Sequence, residues 1–286
     1  LRAFAEEMNV QYLVKSPRAE HHKFILYFAG PNEELPVVEG LGFDFSGNYL
    51  LESSEKMDTL TYWLKDSMLY RNDTLKLSVE YKVPDSLGIM VDRIDTLSLV
   101  PKKKWAKVVE QQQKIFEEEK KKFLRQESRK EGYDKDNPPL FIPKAKVLPV
   151  KFSGNSTMDV NGDCRFVFEE PLECADSSAL HVFHMVDSTL VPMEFVFRRS
   201  DRSINEYELF AEWRPGQKYK LEVDSAAFKG IYGGVSESLT RDMQFRTLEE
   251  YAVLYLNIPG VGNNAIVQLL SSDLCRSSRT DGNGRD

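Results

Sequence analysis

Residues 74–83, with the sequence TLKLSVEYKV, decide the fold class. Apolar side chains stand at every second position: Leu75, Leu77, Val79 and Tyr81. A period of two is typical of a β-strand with one buried face and one solvated face. The sequence Pro84-Asp85-Ser86-Leu87-Gly88 follows directly and contains the residues that favour turns. The stretch therefore predicts a half-buried strand that ends in a turn.

Three further stretches on either side have the same character: residues 23–28 (KFILYF), 59–64 (TLTYWL) and 95–100 (DTLSLV). Gly, Pro, Asn and Asp separate them, and no helical period of useful length occurs between them. Short strands at this spacing are typical of a β-sandwich. Residues 1–101 are therefore predicted to form an all-β, immunoglobulin-like domain.

The pattern changes completely at residues 102–131. This stretch has no Pro or Gly and is rich in good helix formers, and Val109, Phe116 and Phe123 recur every seven residues. It contains 11 Lys and Arg against 6 Asp and Glu, which gives a net charge of +5. We expect a charged helical spacer over 102–132. A solvated rod, a helix that pairs with another helix, and a helix that contacts an anionic surface all remain open.

Strand patterning resumes at residue 145, and residues 145–248 are predicted to form a second immunoglobulin-like domain. The two domains resemble each other, since Leu77 and Val79 recur as Leu221 and Val223, both 144 residues later. This spacing indicates a tandem repeat. The overall prediction is a mainly β protein with tandem Ig-like sandwiches joined by one long charged α-helix.

The last part of the chain is expected to be incomplete. Residues 251–270 resemble the start of a third small β domain, since two apolar stretches flank Pro259-Gly260. Two strands cannot form an independent domain. Residues 271–286 contain few apolar side chains and are predicted to be a frayed tail.

Composition excludes several function classes. The chain has 286 residues, 41% of them hydrophobic, and a formal net charge of −7. The negative charge argues against nucleic-acid binding, which needs a basic face. No apolar run is long enough for a membrane span, and residues 1–10 (LRAFAEEMNV) have no signal-peptide pattern. We therefore expect a piece of a longer protein.

The sequence resembles the Ig-like-domain envelope lipoproteins of the Bacteroides group, which are related to bacterial Ig-like domains of S-layer proteins. The resemblance rests on residues 1–7 (LRAFAEE), 58–67 (DTLTYWLKDS), 213–216 (WRPG), 219–228 (YKLEVDSAAF) and the Lys-rich stretch. It implies an exported, envelope-anchored protein without a catalytic motif. It also implies that an N-terminal lipoprotein signal and domain are absent from this chain, so any membrane contact would be through that missing anchor.

The sequence signals for a metal site are weak. His181 and His184 are three apart on a predicted strand, so their side chains point to opposite faces. His21 and His22 are adjacent in what we expect to be a polar turn. Residues 159–163 and 281–286 echo the oxygen spacing of calcium loops, with Glu170 at the twelfth position of the first, but a hairpin turn explains the first motif equally well.

No nucleophile elbow or phosphate loop occurs, so the chain is expected not to be an enzyme and to need no cofactor. A Cys164–Cys174 disulfide and two isolated thiols are both open. The expected function is a structural or adhesive module of a bacterial cell envelope, and the alternative is a carbohydrate- or protein-binding accessory module of a secreted enzyme system. Tyr62, Trp63 and Trp213 are the candidate binding-face aromatics. The alternative requires these rings on an open face, whereas the alternation of residues 207–213 predicts that Trp213 belongs to the core.

Overall fold

The structure is a computed structural model that describes residues 11–130, 134, 138–154, 157–159, 162, 164–187, 189–252, 255, 267–271 and 274–278. The chain divides into two compact units, Leu1–Arg246 and Thr247–Asp286. The first unit contains two β regions, which we call the first β region (residues 11–101) and the second β region (residues 145–246). A long helix lies between them in sequence. The protein is mainly β, as predicted.

The first β region has seven strands and a short helix: β1 (Leu13–Lys15), β2 (Lys23–Phe28), β3 (Val37–Gly40), β4 (Tyr49–Ser53), β5 (Thr59–Leu64), α1 (Ser67–Arg71), β6 (Leu75–Pro84) and β7 (Met90–Leu99). They form two antiparallel sheets, in the orders β1-β2-β5-β4 and β3-β6-β7. The strands predicted at 23–28 and 59–64 are confirmed. β7 starts well before residue 95, because the β6–β7 hairpin stays paired as far as Pro84 and Met90.

Both sheets of this region bury side chains in one cluster, since alternate residues of each strand point to the same side. Its fully buried members include Phe24, Leu26, Leu60, Leu75, Leu77 and Val79. The rings of Phe24 and Tyr62 stack with centroids 4.9 Å apart. The alternation in residues 74–83 therefore identifies the buried face correctly.

α1 was not predicted. The Asp66 carboxylate accepts a hydrogen bond from the Met68 backbone N at 2.9 Å, which satisfies one N–H at the start of the helix. A five-residue helix is too short to show a helical period in the sequence. It matters because it carries Tyr70 to the contact between the two β regions.

The charged helix is confirmed as α2 (Trp105–Glu127), shorter at both ends than the predicted stretch. The Asp73 carboxylate accepts a hydrogen bond from the Trp105 backbone N at 2.6 Å, so a residue outside the helix satisfies its first turn. α2 has no buried side chain. The rings of Phe116 and Phe123 meet the Phe141 ring at 5.4 and 5.5 Å.

The described residues of the second β region form eleven strands: β8 (Val150–Phe152), β9 (Thr157–Met158), β10 (Cys164–Phe168), β11 (Leu172–Ala175), β12 (Leu180–Val186), β13 (Thr189–Pro192), β14 (Phe195–Arg199), β15 (Glu206–Ala211), β16 (Lys218–Val223), β17 (Phe228–Gly230) and β18 (Leu239–Phe245). The sheets have the orders β14-β15-β10-β8, β13-β12-β16-β18-β9 and β11-β17. The short strands β9, β11, β13 and β17 were not predicted, because two to four residues are too few to show alternation.

Strands from all three sheets contribute to a second buried cluster. Phe166 of β10, Leu221 of β16 and Phe245 of β18 are fully buried, and Phe228 of β17 is 1% exposed. Cys164 is buried and Cys174 is exposed, and the two do not form a disulfide.

In the second unit, β19 (Val267–Ser271) and β20 (Leu274–Ser278) pair as an antiparallel hairpin. The sequence predicts a frayed tail from residue 271, whereas residues 271 and 274–278 have strand backbone. Pairing with β19 supplies the backbone hydrogen bonds that local composition does not reveal. The described part of the structure leaves out residues 279–286 and most of the strand predicted at 252–258. It also leaves out the side chain of Cys275.

Candidate functional site

Four aromatic side chains meet where the two β regions touch, and we call them the aromatic cluster. His22 precedes β2, Tyr70 belongs to α1, Trp105 begins α2, and Tyr232 follows β17. The His22 ring lies 4.1 Å from the Tyr232 ring and 4.5 Å from the Tyr70 ring, and Tyr70 lies 5.9 Å from Trp105. Aromatic pairs of this kind contribute about 0.5–1.5 kcal/mol beyond the area they bury. The cluster therefore stabilises the contact between the two regions.

The Tyr232 hydroxyl adds directional contacts to this packing. Its single O–H proton is shared between two backbone oxygens of the first β region, since the hydroxyl oxygen lies 3.1 Å from the His22 carbonyl oxygen and 3.0 Å from the Leu64 carbonyl oxygen. Burial raises the pKa of Tyr232, and the neighbouring Glu170 carboxylate acts in the same direction. The hydroxyl therefore remains a neutral donor across the physiological pH range.

His22 has an unusual ionisation. Burial lowers its pKa from 6.5 to about 4, and the neighbouring Lys146, His21 and Arg18 act in the same direction. The ring is therefore neutral at pH 7, which suits its position between two tyrosine rings.

His21 is buried, at 5% exposure, so the expected polar surface turn is wrong for this residue. Its Nδ1 lies 2.9 Å from the Tyr70 carbonyl oxygen and its Nε2 lies 2.7 Å from the Lys103 carbonyl oxygen. Carbonyl oxygens only accept, so a neutral ring donates to one of them at a time. His21 thus connects α1 to the segment that enters α2.

Arg18 stabilises the same contact between α1 and the segment around His21. No signal in the sequence identified Arg18 as important. Its guanidinium donates to the Asn72 carbonyl at 2.9 Å and to the His21 carbonyl at 3.0 Å. Burial lowers the pKa of Arg18 to about 10, while the nearby Asp73 opposes this shift. The side chain stays charged at neutral pH and satisfies carbonyl groups at the end of α1.

On the other side, Glu170 positions the Tyr232 turn. Its carboxylate accepts a hydrogen bond from the Tyr232 backbone N at 3.2 Å and forms an ion pair with Lys146 at 3.1 Å. Gly230 leaves room for it, since a Cβ there would lie 2.0 Å from Glu170 Oε1. The carboxylate that the sequence offered as the twelfth calcium ligand therefore has two other partners.

A cleft of about 450 Å³ lies between the two β regions. Its lining includes the aromatic residues Trp63 and Phe168. It also includes two lysines, Lys23 and Lys151, and two glutamates, Glu20 and Glu169. Asn205 also lines it and is 9% exposed, and its Oδ1 is buried without a hydrogen-bond partner among the described residues. A buried amide oxygen can accept a hydrogen bond from a hydroxyl or an amine.

The three candidate aromatics lie in different environments. Tyr62 is 1% exposed within the first core, and Trp63 is 4% exposed with its Nε1–H 3.3 Å from a Glu52 carboxylate oxygen. Trp213 is half-buried in the second β region, stacked on Phe245 at 5.0 Å. The structure does not bring the three together, and none presents a broad open ring face.

The other candidate ligands are also separated. His181 Nε2 lies 3.3 Å from Asp224, whereas His184 Nε2 lies 3.0 Å from the Gln217 amide oxygen. In the first calcium-like motif, Gly162 N donates to Asp159 O at 2.8 Å in a turn. Among the described residues, no three His, Cys, Asp or Glu side chains are grouped to hold a metal ion. The second calcium-like motif lies outside the described residues.

Comparison with known proteins adds little to this geometry. No protein family matches the sequence, and no curated protein matches it. An I-band fragment of titin is similar in structure at 10% identity, covering 84% of this chain and 66% of the fragment, with a TM-score of 0.22. A tandem of titin Ig domains has 10% identity, covering 84% of this chain and 97% of its own, with a TM-score of 0.20. A marsupial T cell receptor has 8% identity, covering 85% of this chain and 99% of its own, with a TM-score of 0.22.

At these TM-scores the similarity carries no argument about fold or function. Strand pairing within this chain defines its fold. In the part of the chain that the structure describes, no helix is long and apolar enough to cross a membrane.

Proposed function

We propose that this chain is a non-catalytic structural or adhesive module, in which two immunoglobulin-like domains form a stiff support. Two antiparallel sheets around one buried cluster support this assignment for residues 1–101, and the sheets of residues 145–248 support it for the second domain. The observation that carries the proposal is the aromatic cluster with its Tyr232 hydrogen bonds. A pair of rigidly joined domains can hold a binding surface at a fixed distance from its anchor.

The stiffness can be measured directly. Spin labels at Glu39→Cys and Asp242→Cys, in a Cys174→Ser, Cys275→Ser background, report one distance across the contact by pulsed electron resonance. We expect a narrow distance distribution that broadens in Tyr232→Ala and stays narrow in the control Tyr12→Ala, whose side chain is 45% exposed. A broad distribution in the parent protein would contradict a stiff support.

We also propose that the module belongs to a bacterial cell envelope. Only the sequence resemblance to Ig-like envelope lipoproteins supports this. Labelling of the full-length parent with a palmitate analogue in its native host, followed by membrane fractionation, tests it. Recovery of the protein in the soluble fraction, without incorporated palmitate analogue, would reject the envelope assignment.

A second candidate, a carbohydrate-binding accessory module, has one specific observation in its favour. The cleft between the β regions is lined in part by Asn205, whose buried Oδ1 has no hydrogen-bond partner among the described residues, and by the largely buried Trp63 and Phe168. Saturation-transfer NMR of the full chain with neutral oligosaccharides tests it, with Asn205→Leu as the variant that loses the acceptor. Gln244→Leu, an exposed change on β18, is the control. Absence of transfer, or equal transfer in Asn205→Leu and parent, would reject this candidate.

A further inference from the structure

β7 forms one edge of the sheet β3-β6-β7 and pairs with β6 along its whole length. No strand in the described residues pairs with its other side. Met90, Val91 and Ile94 are 40%, 41% and 65% exposed along this edge. A long, exposed edge strand with apolar side chains is a template for pairing with a further strand.

The pairing within the sheet determines which backbone groups of β7 face outward. Leu41 N donates to Lys76 O at 2.9 Å, so Lys76 directs its carbonyl toward β3 and away from β7. Asp85 N donates to Ile89 O at 2.8 Å, so odd-numbered residues bond each other across the hairpin. Backbone direction alternates along an antiparallel strand. The even-numbered residues of β7, with Ile94 near their centre, therefore direct their N–H and C=O groups to the open edge.

We propose that β7 pairs antiparallel with β7 of a second copy of this chain, in a two-fold register centred on Ile94. Each even-numbered residue then meets another even-numbered residue, so the outward N–H and C=O groups of both copies satisfy each other. Arg93 stands opposite Asp95 of the second copy, and the two-fold axis repeats this pair. Val91 stands opposite Leu97 of the second copy.

Charge selects this register over its neighbours. A shift of the two-fold centre by one residue toward the strand start sets Arg93 against Arg93, and a shift by one residue toward its end sets Asp95 against Asp95. Like charges directly opposite each other destabilise a strand pair, whereas opposite charges stabilise it. The register centred on Ile94 therefore combines complete backbone pairing with two opposite-charge pairs.

The two charged side chains are already oriented in the single chain. Arg93 Nε lies 3.0 Å from Asp95 Oδ1, and the Tyr81 hydroxyl donates to Asp95 Oδ2 at 2.6 Å. In the dimer each Asp95 carboxylate would lie between two guanidinium groups, one from each copy. Tyr81 limits the freedom of Asp95 beforehand, which lowers the entropy lost on association.

The expected dimer is weak and symmetric. A single pair of strand edges buries less area than the roughly 1,200 Å² at the lower end of stable interfaces. The product is one continuous six-stranded sheet, with an isologous contact that closes on itself. We expect dissociation in the micromolar range, about 10–100 µM.

Sedimentation velocity of the full chain over about 5–300 µM, a range chosen to span that affinity, measures the association. The parent should shift from 32.9 kDa toward twice that mass. Arg93→Asp should weaken association at least tenfold, whereas Lys76→Asp, the same change of charge on the adjacent strand opposite Ser98, should change it less than twofold. A monomer at every concentration, or equal weakening by both substitutions, would overturn the proposal.

Cysteine cross-linking tests the register, in a Cys174→Ser, Cys275→Ser background that keeps only the buried Cys164. In the proposed register the two Ile94 Cα atoms lie about 5.5 Å apart, within reach of a disulfide. The two Thr96 Cα atoms lie about 14 Å apart, beyond reach. Ile94→Cys should therefore form a covalent dimer in glutathione buffer while Thr96→Cys stays monomeric. Equal cross-linking at both positions, or none at Ile94→Cys, would exclude this register.

Discussion

The second β region and helix α2 both carry phenylalanine side chains, but they use them in opposite ways. Phe166 is fully buried, and its ring lies 5.0 Å from Phe152 and 5.7 Å from Phe228. Phe116 on α2 is 42% exposed, and its ring meets Phe141 at 5.4 Å. The same side chain therefore stabilises the protein to very different extents, depending on whether other elements cover it.

The contact between the two β regions lies between these extremes. His22 is partly buried, and Tyr232 combines ring packing with a hydroxyl proton shared between two carbonyl oxygens. Substitutions in the second core, at the contact and on α2 should therefore have successively smaller effects.

The largest effect is expected for Phe166→Ala. Removing a fully buried ring leaves a cavity between the sheets, and the free energy of unfolding should fall by about 3–5 kcal/mol. Urea unfolding followed by circular dichroism measures this. A loss below about 1 kcal/mol, the range of an exposed side chain, would show that the second cluster is not the packed core described above.

Gly230→Ala should follow. The added methyl group would overlap the Glu170 side chain, which must then leave the Tyr232 backbone N and Lys146. Loss of these buried polar contacts should lower the free energy of unfolding by about 1–3 kcal/mol. A loss within about 0.5 kcal/mol of zero, the range of an ordinary surface substitution, would contradict the overlap.

His22 should make stability depend on pH. Its pKa is about 4 in the folded chain and near 6.5 when unfolded, so the unfolded state binds more protons between these values. Its contribution is complete above pH 6.5 and is lost as the pH falls toward 4. With allowance for partial exposure, the loss should be about 1–2 kcal/mol. Urea unfolding at pH 7 and pH 5 should show a smaller difference in His22→Phe than in the parent, and identical differences would contradict this origin.

Phe116→Ala should have the smallest effect. The side chain is 42% exposed and no residue of α2 is buried, so the change should cost less than about 1 kcal/mol. Alanine also has the higher helix propensity, which offsets part of the lost packing. Thermal unfolding measures it. A loss as large as that of Phe166→Ala would show that α2 is covered in solution, as the helix-pairing alternative requires.

Independent folding of residues 1–101 and 145–248 stays a prediction. The aromatic cluster joins both β regions within one compact unit, so a two-domain chain could still unfold in one transition. Calorimetry of the parent and Tyr232→Ala would separate coupling at the contact from a shared core. Two transitions appearing only in the variant would indicate coupled but separate domains.

The sequence alone determined the mainly β class, α2 and the buried faces of strands such as β2 and β6. These follow from local periods of two and from helix-forming composition, which need only neighbouring residues. The sequence also indicated the turns at Pro84 and Gly162, because turn chemistry is local.

Tertiary structure alone decided the environment of the histidines, the full length of β7 and the pairing of β19 with β20. His22 looks like a surface residue in sequence, but it meets Tyr232, which lies 210 residues away. Alternation along a strand shows which side chains lie on its apolar face. It does not show which other elements cover that face. Burial, pKa shifts and strand edges depend on long-range partners, and those are set only when the whole chain has packed.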